Sequence, residues 1–417
     1  MAADMSDEVQ RKRRAHKKSR KGCRNCKLRR VKCDEKRPSC FKCRDYGYIC
    51  NYDSRTPDLE MAISGGSIAA ETGEEIQSWS TFSSKPLKKP TIPITLEPSI
   101  TIGDGMSSMI LDRQSLARLD RFRNRTVLSI GTPTTSELFQ NISYSMAFEH
   151  PYLMHVMQTL TATHDRFLAL PSPHSYHRSV TESYHLSHAA SLFNKKLFSP
   201  INDKDRDALW ATAALMGIIS ISSIEASTPY EAWPLTPYSD TDLDWLRMSE
   251  SKVVIWNLTK PDRPDSVFHK LSIHFIKAHT ESEKREPNFS VLPPQFLELC
   301  EIDTFSTASN NPYYALLVGL VNITTADNKN SATQAFLGSL SHMQSGFKGL
   351  MKSRDPRALL LVAWWYAKVH KLNWWLELRA VTECQAICIY LGRYYADDLL
   401  IKELLEFPRM ECGLADR

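Results

Sequence analysis

Several absences narrow the class of this chain. The opening residues, MAADMSDEVQRKRRAHKKSRK, hold no apolar h-region, so nothing there directs secretion. The uncharged run at 208–224 is too short, and too rich in Ser and Thr, for a membrane span of ~20 apolar residues. No glycine-rich phosphate loop, G-x-S-x-G elbow or H-E-x-x-H is present, so no enzyme activity is expected. No heptad run occupies the stretch from Pro57 to Gly105, which argues against pairing through a coiled coil there. A clear acidic activation tail is also missing.

What the chain does have is a dense block of thiols. Six of its ten cysteines, Cys23, Cys26, Cys33, Cys40, Cys43 and Cys50, follow the spacing C-x2-C-x6-C twice over. Without a secretory signal, disulfides are disfavoured. Lys and Arg fill the gaps, so there is little apolar core in which to bury free thiols. Metal remains. Zinc prefers four ligands in a tetrahedron, and six thiolates fill the eight positions of two zincs if two of them bridge. The repeat picks the bridges: the first cysteine of each half, Cys23 and Cys40. One zinc then takes Cys23, Cys26, Cys33 and Cys40. The other takes Cys40, Cys43, Cys50 and Cys23. Ordinary fingers, RING and LIM modules use wider gaps between ligand pairs.

GCRNCKLRRVKCDEKRPSCFKCRDYGYIC, residues 22–50, resembles the fungal Zn2Cys6 binuclear cluster of DNA-binding transcription regulators. Every cysteine is in register, and Pro38 stands two residues before the fourth. The resemblance implies a small cluster with two Zn2+, in a nuclear regulator of RNA polymerase II genes that reads CGG-like motifs in double-stranded DNA. A short helix over KLRRVK, between Cys26 and Cys33, would carry the basic side chains into the major groove. Carried over by position, Arg29 and Arg30 match the base-reading pair, and Lys27 and Lys32 match phosphate contacts. The family often has Lys at the positions of Arg29 and Arg30; Arg is at least as good a bidentate donor to guanine. For each single Arg the bland alternative is a phosphate-only contact.

Charge distribution agrees. Residues 1–55 hold 18 Lys and Arg against 7 Asp and Glu, while the remainder holds 34 against 40. A positive end on a negative body suits a polyanion. Upstream of the cluster, RKRRAHKKSRK (Arg11–Lys21) reads as a disordered basic arm that serves as a nuclear localisation signal, with the chain in the nucleus or shuttling there from the cytoplasm.

Residues 53–105, with Gly- and Ser-rich stretches and five prolines, read as a flexible linker. From 106 to 417 apolar residues recur at helical spacing, which predicts a large all-α regulatory domain. LDRQSLARLDRFR, PYLMHVMQTLTATHDRFLAL, SYHLSHAASLFNKKLF, DALWATAALMGIISISSI, DTDLDWLRMSESKVVIWNL, RALLLVAWWYAKVHKLNWWLELRAV and ECQAICIYLGRYY each read as helices. Asn202 and Asp203 can cap the fourth.

HPYLMHVMQTLTATH, YHLSHAASLFNKKL and INDKDRDALWATAALMG are similar to the C-terminal domain of sterol uptake control regulators, as is the lead-in HKKSRKGC. That resemblance implies a sterol or other apolar ligand. Trp364, Trp365, Trp374, Trp375, Met154, Met157, Leu215, Met216 and Ile219 could line a pocket, but such side chains at helical spacing more often form core. The alternative is a pathway-specific regulator, such as one for a secondary-metabolite gene cluster, whose helical domain binds protein partners. The transcription machinery is a further expected partner, and the C-terminal domain offers a route to a homodimer. From another class comes a zinc enzyme or metal store, which the basic segment argues against. His185 and His188 share a helix face, but a second metal site lacks a matching third ligand. Cys384 and Cys388 read as buried free thiols.

Overall fold

The computed structural model describes residues 21–28, 31–45, 50–52, 99–170, 177–343 and 346–414. The basic arm up to residue 20, the linker from 53 to 98, and both Arg29 and Arg30 lie outside them. The chain divides into two units, one within residues 1–92 and one within 93–417.

Among its described residues the first unit holds two one-turn helices, α1 (Arg24–Leu28) and α2 (Phe41–Asp45). Among the described residues its apolar core is the cysteines, with Cys50 and Tyr52 packed against them, and Asn25 and Asn51 are buried beside them.

The second unit is largely helical but opens on a hairpin. Strands β1 (Ile100–Gly103) and β2 (Ser108–Leu111) pair antiparallel, with Ile100 opposite Leu111. The hairpin therefore starts inside the stretch read as linker, before residue 106. The turn is tight for identifiable reasons. The Asp104 carboxylate accepts the Met106 and Ser107 N–H groups at 2.9 and 2.7 Å, and Gly105 takes the left-handed φ of 79° that favours glycine. Alternation buries Ile102, Met109 and Leu111 against the helices.

Capping side chains then set successive helix starts. Asp112 opens α3 (Arg113–Arg121) and Thr132 opens α4 (Pro133–Glu149), each accepting an N–H three residues on. Every residue from Pro151 to His164 in α5 (Pro151–Leu168) is buried. A reciprocal Ser179–Glu182 box begins α6 (Val180–Leu197). Asn202 stands at the N-cap of α7 (Asp203–Ser222), where the Asp205 carboxylate accepts its N–H at 3.0 Å. There follow α8 (Asp244–Thr259), α9 (His269–Lys284), α10 (Gln295–Leu299), α11 (Tyr314–Thr324), α12 (Lys329–His342) and α13 (Gly346–Lys352). The chain closes with α14 (Pro356–Val369), α15 (Trp374–Tyr394), α16 (Leu399–Leu404) and α17 (Glu406–Glu411).

The segment read as one helix over 357–381 is two, with the break at His370–Asn373. The four tryptophans explain it. Trp364 and Trp365 donate to the Leu404 carbonyl and the Ser339 hydroxyl. Trp374 and Trp375 donate instead to the Ser129 hydroxyl and the Ile130 carbonyl. At Asn373 the backbone is extended, with φ −149° and ψ 144°, which separates the two helices.

Two apolar cores result, one around α5, α7 and the hairpin, the other around α11, α14 and α15; Ile218 and Trp374 touch both. Met154, Met157, Leu215 and Ile219 are core in the first, and Trp364, Trp365 and Trp375 in the second. The residues nominated as pocket lining are therefore mostly packing. The cleft that Trp374 and Trp375 do line holds only about 10 Å3, against the ~300–1,000 Å3 of an ordinary ligand site. A buried polar cluster ties α7 to α14 and α15: Arg379 pairs with Glu383, donates to the Ile221 and Ser223 carbonyls, and Tyr366 donates to Glu383. Among the described residues, no helix is long and apolar enough to cross a membrane.

Candidate metal centre and nucleic-acid interface

The six cluster cysteines converge, and none is in a disulfide. The Sγ atoms of Cys23, Cys26, Cys40 and Cys43 all lie within 4.8 Å of one another, and Cys33 Sγ reaches Cys40 within the same limit. Cys23 Sγ stands 3.8 Å from Cys40 Sγ and 3.5 Å from Cys43 Sγ; Cys26 Sγ stands 3.6 Å from Cys40 Sγ. A tetrahedral zinc with Zn–S of ~2.3 Å places its sulfurs ~3.8 Å apart. The residues present thus fit zinc. The short contacts also cross between the two halves of the repeat, and each crossing involves Cys23 or Cys40.

Local backbone geometry serves the sulfurs. Each of the two helices begins just after one of the central cysteines, so the Cys26 N–H reaches Cys23 Sγ at 3.4 Å and the Cys43 N–H reaches Cys40 Sγ at 3.3 Å. The Glu35 N–H donates to Cys33 Sγ, and the Cys40 N–H to Cys50 Sγ, both at 3.3 Å. Glu35 itself adopts the left-handed φ of 61°. Such donors orient and stabilise thiolates around a cation. Without a cation the sulfurs cannot all ionise. Burial first, then the neighbouring sulfurs, push the Cys26 and Cys43 thiols far above their ordinary value. Burial and the same neighbours bring Cys50 up to about 11. At Cys23 burial acts the same way, but the Cys26 N–H and the surrounding thiols outweigh it and lower the value. A divalent cation resolves the crowding.

Two residues that sequence reasoning missed hold the halves together. The Asn51 side chain accepts the Asn25 N–H at 2.7 Å, and the Asn51 carbonyl accepts the Arg24 N–H at 3.0 Å. Reciprocally, the Asp34 carboxylate accepts the Phe41 N–H at 2.9 Å. Each is the residue after the third cysteine of its half, and each caps the helix of the other half. The twofold repeat carried that signal. Replacing Asn51 with Ala is expected to cost about 1–2 kcal/mol, the usual worth of a cap. Chelator-driven zinc release, followed with a zinc-sensitive dye, should speed up about five- to thirtyfold; an unchanged rate would show that the cap does not hold the cluster.

The basic candidates are placed as follows. Lys27 lies in the last turn of α1 and Lys32 beyond it, both exposed. The helix begins at Arg24 rather than at Lys27, because the turn starts at Cys23 and carries Cys26 inward. Arg37 stacks its guanidinium over the Tyr52 ring at 4.6 Å, and the Tyr52 hydroxyl lies 3.4 Å from Cys33 Sγ.

Elsewhere the sequence candidates do not assemble a second metal site. Among the described residues, the groups of close metal-ligating side chains both lie in the cluster. His185 is buried against His155, with their Nδ1 atoms 2.9 Å apart, whereas the His188 Nδ1 bonds the Tyr184 carbonyl. Cys384 and Cys388 are fully buried free thiols, and burial pushes Cys384 well above its ordinary value.

Comparison with known proteins gives residues 21–59 as a fungal Zn(2)-Cys(6) binuclear cluster domain. A Zn(2)-C6 fungal-type transcription factor of Gibberella zeae is 26% identical over 408 residues, covering 88% of this chain and 80% of that protein. Sterol uptake control protein 2 of Saccharomyces cerevisiae is 56% identical over 41 residues, 10% of this chain and 4% of its own. That likeness lies in the cluster region only. The aspercryptin biosynthesis cluster-specific transcription regulator atnN of Emericella nidulans is 24% identical over 199 residues, 48% of this chain and 30% of its own.

Proposed function

We propose that this chain, a DNA-binding transcription regulator whose Zn(2)-Cys(6) cluster holds two zinc ions, recognises CGG-like DNA through the basic segment between Cys26 and Cys33. In this reading all six cysteines are ligands. Cys26 and Cys33 serve one zinc, Cys43 and Cys50 the other, and Cys23 and Cys40 are shared. The observation that carries it is the crosswise sulfur contact, Cys23 to Cys43 and Cys26 to Cys40, at 3.5 and 3.6 Å. A shared pair, Cys23 and Cys40, accounts for sulfurs of opposite halves lying that close. The zincs hold the segment; Arg29 and Arg30 donate to guanine O6 and N7, and Lys27 and Lys32 neutralise phosphate. The arm Arg11–Lys21 directs the chain to the nucleus, where it acts on RNA polymerase II genes.

For the helical unit, the reading with most support is the output-setting part of a pathway-specific regulator, working through protein partners and the transcription machinery. The match to atnN extends well beyond the cluster. The likeness to sterol uptake control protein 2 stays within it, and the side chains nominated for a sterol pocket are mostly core.

Fluorescence anisotropy with a CGG-containing duplex and a scrambled one, at one fixed salt concentration, tests the DNA reading. Arg30→Ala is expected to cost about 1–3 kcal/mol on the CGG duplex and much less on the scrambled one. An equal loss on both would assign Arg30 to phosphate and overturn its role in base reading.

A further inference from the structure

We propose that Tyr52 locks one end of the cluster: its hydroxyl donates to the Cys33 sulfur, holds that sulfur on zinc and slows its reaction with electrophiles. This rests on the reading of Cys33 as a ligand of one zinc. The Tyr52 hydroxyl lies 3.4 Å from Cys33 Sγ. A zinc-bound thiolate has no proton to give, so the phenol is the donor. Tyr52 stands just beyond Cys50, the last cysteine of the second half, whereas Cys33 closes the first. The bond therefore ties the chain leaving the cluster to a sulfur 19 residues earlier.

Cys33 is the ligand with least local scaffolding. Cys26 and Cys43 sit on α1 and α2. Residues 31–36, which carry Cys33, belong to no helix or strand, and its neighbours Val31, Lys32, Asp34 and Glu35 are exposed. Its sulfur approaches Cys40 Sγ but stands outside the tight group of Cys23, Cys26, Cys40 and Cys43. Hydrogen bonds made at the sulfur itself must then orient it: the Glu35 N–H from its own loop at 3.3 Å, and Tyr52 from the other half. Arg37 aims the ring. It comes from the loop between the two halves, and its guanidinium lies 4.6 Å from the Tyr52 ring centroid. The ring also packs against the cluster cysteines. A thiolate is the nucleophilic form of cysteine, and donation from a hydroxyl draws on the sulfur charge that an electrophile needs. Tyr52 is thus a positioning residue that acts through Cys33.

The test uses the full zinc-loaded chain and iodoacetamide. The cysteine sulfur forms a bond to the reagent's CH2, iodide leaves with the electron pair, and the resulting thioether is a poor zinc ligand. Peptide mass spectrometry times alkylation at each cysteine, and a zinc-sensitive dye follows metal release. Tyr52→Phe keeps the ring and its Arg37 stack and deletes only the hydroxyl. It should speed alkylation of Cys33, and zinc release with it, about tenfold, the lower end of what losing an outer partner costs a metal site. Cys50, whose donor is the Cys40 N–H, should change less than about twofold. Arg37→Ala should speed Cys33 about two- to fivefold. Wild-type kinetics at Cys33 in Tyr52→Phe, or equal acceleration at Cys33 and Cys50, would overturn the proposal. So would acceleration in Tyr52→Leu with none in Tyr52→Phe, which would reduce Tyr52 to packing. Zinc analysis verifies that each variant starts with two ions, and Arg37→Ala, an exposed substitution, decides the matter if Tyr52→Phe does not. Alkylation of Cys33 that leaves both zincs bound would instead remove Cys33 from the ligand set, so failure of the ligand reading is told apart from failure of the lock.

Discussion

Stripping the metal from this chain, or replacing Cys40 with Ala, is expected to lower affinity for a CGG-containing duplex by at least about a hundredfold. The reason is the composition of the first unit. Among the described residues its apolar core is the cysteines themselves, with Cys50 and Tyr52 beside them, so burial of other apolar side chains contributes little. Metal binding supplies the folding free energy, about 10–16 kcal/mol per structural zinc in comparable small modules. Once the metal leaves, like charges at 1–55 repel and the N–H groups now donating to sulfur turn to water. Thiol labelling separates the two units in the intact chain. The zinc-loaded protein should show no fast-reacting thiol. After chelation the six cluster cysteines should react, while Cys300, Cys384, Cys388 and Cys412 stay buried. Zinc analysis should return two ions per chain. Cys40→Ala protein that keeps duplex affinity within threefold of wild type would rule out a shared Cys40.

The second large effect concerns acid. Burial lowers four histidines in the helical unit, His150 among them; the largest shifts are at His155 and His164, each lowered to about 4, and at His185, lowered to about 3. Burial is the main cause at each of them. The His188 ring adds to it at His155, the His155 ring and Arg118 at His185, and the Arg125 guanidinium at His164, where Asp165 opposes it. His155 and His185 share one Nδ1–H between two nitrogens 2.9 Å apart. His164 bonds Thr126 and stacks on Trp374, with ring centroids 4.3 Å apart. Because the folded values lie below the ordinary 6.5, the fold holds the neutral form. Stability is complete above about pH 6.5 and falls as pH drops toward about 4. At 1.36 kcal/mol per pKa unit, lowering the pH to 5 costs about 2 kcal/mol per histidine, or about 4–6 kcal/mol together. A domain of ordinary stability, about 5–15 kcal/mol, would be brought close to unfolding. Asp104 and Asp112 do not enter this window: N–H bonds outweigh burial and hold both below the usual carboxylate value, so their contribution is lost only at lower pH. Urea unfolding followed by tryptophan fluorescence at pH 7 and pH 5 measures the effect, since every tryptophan except Trp79 lies in the helical unit. His164→Gln should remove about a third of the difference. Equal midpoints at the two pH values would show that these histidines are not held neutral by the fold.

The cluster was legible in the sequence because metal chemistry depends on spacing along the chain. Six thiols at C-x2-C-x6-C, repeated, allow few coordination schemes, and the charge counts on either side of residue 55 need no structure. Helix content was legible for a related reason: apolar periodicity is local, and cap residues such as Asn202 stand next to the turns they begin. What required the tertiary structure depends on partners far away in the chain. The hairpin at Ile100–Leu111 forms because its alternate side chains find the helical core. The break at His370–Asn373 exists because Trp374 and Trp375 reach Ser129 and Ile130. Asp34 and Asn51 look like ordinary polar residues until each is seen capping the helix of the opposite half. Whether Met154 or Trp365 would line a pocket or fill a core was likewise undecided by type and spacing, since both uses want the same side chains at the same period. Only the packing of helices distant in sequence closes that space.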